Sequence, residues 1–328
     1  MPCRTVLHSR FLINGLLIQK RRVLPAFLTT VLFSISAVCA QRTSKALGGV
    51  TANFWRILLA TFVLGLWAHT KGQGTGGAAF SIFLWSGVLG FGLGDVALYQ
   101  ALPRIGSRLS ILLVHCLAAP FAAAVEWSWL GTRMSATQMI AGALILFGVA
   151  LALAPGRHLN VSRRVFWSGV LGGVLAAIGQ ALGAVVSRQA YRVAAHAGEH
   201  VDAVTAAYQR ILAGLAIAFV IWIFVKTRDR KSPSDIPAGC ARVWPWVIIN
   251  ALSGPALGVA CYQWALSGHG TGVVLPIVAL TPLVIIPFSR YVEGERPRKR
   301  SLAGGAIAVI GVFLLVGGAS WISQYLGR

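Results

Sequence analysis

Asp95 and Glu126 are the carboxylates inside the apolar stretches of this chain, and Arg56 and Arg210 lie inside such stretches at equivalent places. A charge in hydrocarbon is costly, so each one marks a functional hypothesis. Asp95 could carry a coupling proton or pair with an arginine, whereas Glu126 lies near the end of its stretch and is accounted for by wetting alone. Arg56 and Arg210 sit a few residues inside their stretches, from where a long side chain snorkels to the headgroups. Turned inward, they would suit anionic or zwitterionic solutes. His115 could relay protons or serve as a hydrogen-bonded packing residue. Tyr99-Gln100 and Tyr262-Gln263-Trp264 offer hydrogen-bonding and aromatic groups, either to a substrate pathway or to an interfacial belt. Two further motifs invite chemistry in the wrong setting. His196-Ala-Gly-Glu199-His200 fits the H-x-x-E-H zinc pattern, but Gly198 weakens the helix, the motif sits in a connection between spans six and seven, and no convincing third ligand follows. Gly72-Gln-Gly74-Thr-Gly-Gly77 spells G-x-G-x-x-G outside any βαβ unit, and so reads as a loop.

The elements that must position these groups are membrane helices. The chain is 56% hydrophobic and 11% charged, against roughly 25% charged in soluble domains. Apolar runs near the ~20 residues needed to cross a bilayer recur at 23–40, 49–68, 79–100, 107–129, 136–154, 166–186, 203–225, 244–264, 271–290 and 302–319. They are continuous and not alternating, which excludes a β-barrel. The expectation is an all-α integral membrane protein of about ten helices.

The order of elements repeats. Gly90-Phe-Gly-Leu-Gly94-Asp-Val-Ala-Leu-Tyr99 returns as Gly254-Pro-Ala-Leu-Gly258-Val-Ala-Cys-Tyr-Gln263, at an offset of 164 positions. Arg56-Ile-Leu returns as Arg210-Ile-Leu, and Gly131-Thr-Arg133 as Gly294-Glu295-Arg296. Duplicated hydropathy of this kind marks carriers built from inverted repeats. The expected division is a basic tail over 1–22, five-helix repeats over 23–154 and 166–319, a linker over 155–165 and a C-terminal tail over 320–328. Residues 23–40 end in Val38-Cys-Ala40, like a signal-peptide cleavage site, but their counterpart in the second half keeps them as the first span. Gly90, Gly94, Gly254 and Gly258 form small-xxx-small strips for close helix packing. Pro120 and Pro282 break spans, either as kinks or beside a substrate site.

The formal charge of +21 would suggest nucleic acid in a soluble protein. Here Lys20-Arg21-Arg22, Arg163-Arg164 and Arg298-Lys-Arg300 flank spans and meet lipid headgroups instead. Loop charge and the N-terminal flank give opposite orientations under the positive-inside rule. The five cysteines lack C-x-x-C spacing, so neither a disulfide framework nor a metal site is expected. No Walker A sequence supports ATP drive.

Two five-helix halves, each closing on a Gly-x-Arg turn and a glycine-bearing last helix, resemble the EamA family of the drug/metabolite transporter superfamily. Gly294-Glu295-Arg296 with Gly304, Gly305 and Gly311 carry the resemblance, with Gly94-Asp95, Tyr99, Ala101-Leu102, Gly106 and Pro120 in the first half. Thr132 replaces the glutamate usual in the first half. The resemblance implies a ten-helix secondary carrier of a bacterial inner membrane, exporting amino acids or related metabolites by alternating access. It implies cytoplasmic termini, no enzyme activity and no cofactor. The partners expected are a small-molecule substrate and membrane lipids, with homo-oligomers allowed and nucleic acid excluded. Glu295 opens the last helix, as an N-terminal cap or gate element. Readings from other classes are a cationic drug exporter, which wants a carboxylate that spans one and six lack, and a non-transporting membrane scaffold.

Overall fold

The computed structural model describes residues 3–130, 135–153, 162–228, 242–293, 299–300, 302–311 and 314. Glu295 and the Gly-x-Arg turns at 131–133 and 294–296 lie outside the described residues. The described chain is helical because long apolar segments in lipid must satisfy every backbone group internally. In order, the elements are α1 (Cys3–Leu47), α2 (Gly49–Thr70), α3 (Phe80–Gly87), α4 (Val96–Leu130), α5 (Ala136–Leu153), α6 (Arg163–His196) and α7 (Ala203–Arg228). There follow α8 (Trp244–Ala251), α9 (Leu257–Gly268), α10 (Thr271–Val278), α11 (Thr281–Glu293) and α12 (Leu302–Gly311). α1 runs from Cys3, through the stretch read from sequence as a tail.

Among the described residues, seven stretches are long and apolar enough to cross a membrane. Ala136–Ala152 and Leu302–Gly311 are shorter apolar helices. The third and fourth expected spans fall in one continuous stretch, Phe80–Trp129, in which two helices meet at a kink at Gly106 with no loop between them. Gly106 has φ 82° and ψ 164°, a conformation open essentially to glycine alone. A Cβ there would meet nothing within 4 Å. Gly106→Ala is therefore expected to cost about 1–3 kcal/mol through backbone strain alone, read as a lower melting temperature in detergent with unchanged spectroscopic helix content.

Two π-helical segments interrupt the bundle at equivalent places in the repeat. Val88–Asp95 joins α3 to α4, and Leu252–Ala256 joins α8 to α9. Such insertions often mark functional sites. Here each contains one of the duplicated glycines, Gly90 or Gly254.

The repeats are interleaved. α1 packs on α8 and α9, α6 on α3, its π-helical continuation and α4, and α2 on α7. Glycine permits the closest of these approaches. A Cβ on Gly179 of α6 would lie 2.7 Å from the backbone N and Cα of Gly94, and one on Gly183 would lie 3.1 Å from Gly90 Cα. A Cβ on Gly258 would meet the Phe33 ring at 2.8 Å. α5 and α12 meet in the same way, with Gly148 against Ala308 and Gly311 against Ile145.

The ninth expected span is discontinuous, with α10 ending before Ala279–Leu280 and α11 starting at Thr281. Pro282 is buried in the first turn of α11, where its missing N–H costs least. Hydroxyls of α1 cap the break: Thr30 Oγ1 donates to Ile277 O at 3.2 Å, and Ser34 Oγ to Thr281 O at 3.0 Å. Pro120 is exposed, and α4 continues through it. Outward-facing Phe62, Trp67, Trp85 and Trp127 present an apolar perimeter. Arg42 stacks on Trp246 and Lys226 on Trp222, the arrangement of an interfacial belt.

The glycine-rich loop at 72–77 is a pinned turn. Gln209 Nε2 donates to Gly74 O at 3.0 Å and Gly76 O at 2.9 Å. Glu199, the acid of the H-x-x-E-H motif, accepts from Ala78 N at 2.9 Å and so closes the same loop. Among the described residues no cluster of His, Cys, Asp or Glu could hold a metal ion.

Candidate functional site

A cavity of about 80 Å3 opens between the repeats. Arg56 and Arg210 both line it, two turns into α2 and α7. They are 5% and 4% exposed, so the snorkelling read for them from sequence is corrected: both are held inside. The reason is local. Each arginine is caught by polar groups and an aromatic face before it could reach a headgroup.

Arg56 Nε donates to Asn53 Oδ1 at 3.0 Å, its Nη2 forms an ion pair with Asp95 Oδ2, and its guanidinium lies 4.5 Å over the Tyr99 ring. Arg210 Nε donates to Ser86 Oγ at 2.8 Å, and its guanidinium lies 5.5 Å from the Phe91 ring centroid. Each guanidinium also rests on a π-helical glycine of the opposite repeat. A Cβ on Gly90 would come within 2.9 Å of Arg210 Nη2, and one on Gly254 within 3.2 Å of Arg56 Nη1. The duplicated glycines thus do more than pack helices, because they make room for the two cations.

Behind the arginines lie two polar networks that correspond through the repeat. On one side Asn250 Nδ2 donates to Tyr99 Oη at 2.8 Å, and Ser36 Oγ donates to Asn250 Oδ1 at 2.8 Å. On the other side Ser86 and Ser187 hydroxyls meet at 2.8 Å, and Gln263 Nε2 donates to Ser187 Oγ at 3.3 Å. Ser86 and Asn250 share the 164-residue offset, as do Tyr99 and Gln263. These networks fix the arginine heads without neutralising them. Asp95 forms an ion pair with Arg56.

Of the residues singled out from sequence, the cavity gathers Asp95, Arg56, Arg210, Tyr99, Tyr262, Gly90 and Gly254. Gln263 is fully buried behind it. Gln100 accepts from Arg104 Nη1 at 2.9 Å and lines a separate small pocket with Val50, Asn53 and Ile221. Trp264 is 52% exposed and faces outward. Trp264→Ala is therefore expected to leave stability within about 0.5 kcal/mol of wild type, the range of a surface substitution, measured as the melting temperature in detergent. Gly94, Gly258, Pro120 and Pro282 serve helix geometry and are not among the lining residues.

Sequence reasoning did not single out Ser36, Ser86, Ser187, Asn250, Gln180 or Phe33. Phe33 and Gln180 line the cavity. Phe33 is stacked on His115 with ring centroids 6.0 Å apart and tilted to Tyr262 at 6.2 Å. A usable signal existed for some of them: polar residues inside apolar runs at matching repeat positions, as for Ser86 and Asn250.

The arrangement is a buried, polar-centred chamber enclosed by both halves, with two cations and one anion. Comparison with known proteins agrees with that architecture. A 72-residue stretch, 22% of this chain, is 36% identical to a probable 4-amino-4-deoxy-L-arabinose-phosphoundecaprenol flippase subunit, ArnE, of Pseudomonas paraeruginosa. The corresponding subunit of Pseudomonas aeruginosa is 35% identical over the same length. The match spans 60% of each of these relatives. One solved structure, a crystal structure of a protein, covers 94% of this chain and 99% of its own with a TM-score of 0.67 at 18% identity, a likeness of fold. The EamA-like transporter family matches twice, at 21–154 and 167–317. With both halves matched, the chain belongs to the EamA-like transporter family, a multi-pass membrane transporter of drug/metabolite type.

Proposed function

We propose that this protein is a secondary carrier of ten helices in two inverted repeats, working by alternating access and exporting amino acids or related metabolites across a bacterial inner membrane. The observation that carries the reading is the cavity at the repeat interface, with Arg56 and Arg210 at equivalent positions and Asp95 between the halves. Interleaved repeats can rock about such a site, closing one end while opening the other. The glycine contacts of α6 with the first π-helical segment supply smooth, small-residue surfaces for that movement. A cavity holding two cations and one anion repels a further cation, which disfavours the cationic-drug alternative.

The test is metabolite profiling of medium and cytosol in cells overproducing the protein, cells lacking it, and cells carrying Arg210→Leu. The expected result is a small set of solutes that accumulates outside only with the intact protein. Identical profiles in the three strains would remove the efflux reading in favour of a scaffold or an importer.

A further inference from the structure

Among the charged groups of the cavity, the repeat symmetry is broken at the carboxylate. Arg56 corresponds to Arg210, and Gly90 to Gly254, but the counterpart of Asp95 is Val259. Val259 lines the same cavity. The two arginines are tethered alike: each has its Nε held by a short polar side chain, Asn53 or Ser86, and its head beside a π-helical glycine. The Nη end of Arg56 meets the Asp95 carboxylate. Among the described residues no carboxylate lies within ion-pair distance of Arg210, which is 4% exposed.

We infer that the side of the cavity bounded by Arg210, Gly90 and Val259 is a seat for the carboxylate of a monoanionic or zwitterionic solute. The bound carboxylate takes the place that the repeat leaves without an aspartate. The assignment rests on the carrier reading above and sharpens it to a substrate class. Three arguments converge on it. A guanidinium presents paired N–H donors that match a carboxylate in the plane of the fork. A buried cation is favourable only when paired and hydrogen-bonded, and the arginine here has one edge bound and the other turned to a chamber. The charges of Arg56, Arg210 and Asp95 sum to one positive charge, which a monoanion neutralises, a zwitterion leaves unchanged while its carboxylate pairs locally, and a dianion overshoots. Phe33, Phe91 and Tyr262 line the same chamber and offer aromatic surface to an apolar body. A short solute with one carboxylate and a hydrocarbon or aromatic tail fits this division of the chamber.

The full-length protein, purified in detergent, tests this with three probes that share an isobutyl tail: leucine, isovalerate (carboxylate without amine) and isoamylamine (amine without carboxylate). Leucine and isovalerate are expected to raise the melting temperature, and isoamylamine to leave it unmoved. Arg210→Gln should abolish the shift. Val259→Asp should abolish it too, by supplying the carboxylate internally. Val259→Asn, similar in size but uncharged, should weaken the apparent affinity at least tenfold less than the aspartate does. Exchanging the carboxylate, as Asp95→Val with Val259→Asp, should restore the shift with Arg56 as the open seat. Protection by isoamylamine equal to that by isovalerate, no protection by either carboxylate, or a shift that survives Arg210→Gln would each overturn the seat. Reconstituted vesicles loaded with leucine separate the two levels. Binding that needs Arg210 without solute movement keeps the seat and removes the carrier. Movement indifferent to Arg210 keeps the carrier and removes the seat.

Discussion

Asp95→Ala is expected to destabilise the protein by about 3–5 kcal/mol, the cost of stranding a buried partner charge, and to abolish transport. The stranded group is Arg56, 5% exposed, whose Nη2 loses its only ion-pair partner among the described residues while Asn53 and the Tyr99 face remain. The cavity would then hold two cations with no anion, across a chamber of about 80 Å3. Arg56→Met in the same background should recover most of the stability, because it removes the charge and keeps apolar bulk. A double-mutant cycle on melting temperature measures this. Equal stability of Asp95→Ala and wild type would show that the pair is held open by water and carries little. The same variants decide coupling. If Asp95 carries a proton through the cycle, Asp95→Asn transport loses its response to an imposed pH gradient. A retained response leaves Asp95 as the fixed partner of Arg56.

Gly179→Val should be more damaging still to assembly. The first side-chain carbon would lie 2.7 Å from Gly94 N, Gly94 Cα and Leu89 O. All three are backbone atoms of the π-helical segment, which cannot swing aside as a side-chain tip can. Overpacking a fitted core costs about 1–3 kcal/mol and more where backbone must move. Here it pushes α6 from the segment that carries both Gly90 and Asp95, so loss of folded protein and of the cavity should come together. Fluorescence-detected size exclusion would report aggregated or absent protein. Gly305→Val is the comparison, since the nearest atom to a Cβ there is Leu283 Cδ2 at 4.0 Å. Equal behaviour of the two variants would mean that the α6 contact is loose.

How much of this was legible beforehand depended on what each feature requires. The helical class and the membrane location follow from run length and composition, because lipid imposes one backbone solution on any long apolar segment. The duplication is written in the 164-residue echo of Gly90–Tyr99 in Gly254–Gln263. The charged residues worth watching were visible too, since Asp95, Arg56 and Arg210 are rare inside such runs. Their facing was hidden. A π-helical insertion adds a residue to the turn, so 3.6-residue periodicity loses its phase between Val88 and Asp95 and again between Leu252 and Ala256. The exchange of partners between repeats was hidden as well. Apolar helices in lipid carry no hydrophobic preference for one another, and the choice is made by backbone approaches such as Gly94 on Gly179.

The sequence by itself determined an all-helical, duplicated membrane protein and the charged residues for which a cost had to be met. Only the tertiary structure decided that α2 and α7 turn their arginines inward and that Asp95 forms an ion pair with Arg56 and not with Arg210. The physical reason is that a buried guanidinium goes where hydrogen bonds and a carboxylate meet it. Those partners arrive from different helices, Asn53 within α2 but Asp95 and Ser86 from the stretch that starts at α3, and packing alone brings them together.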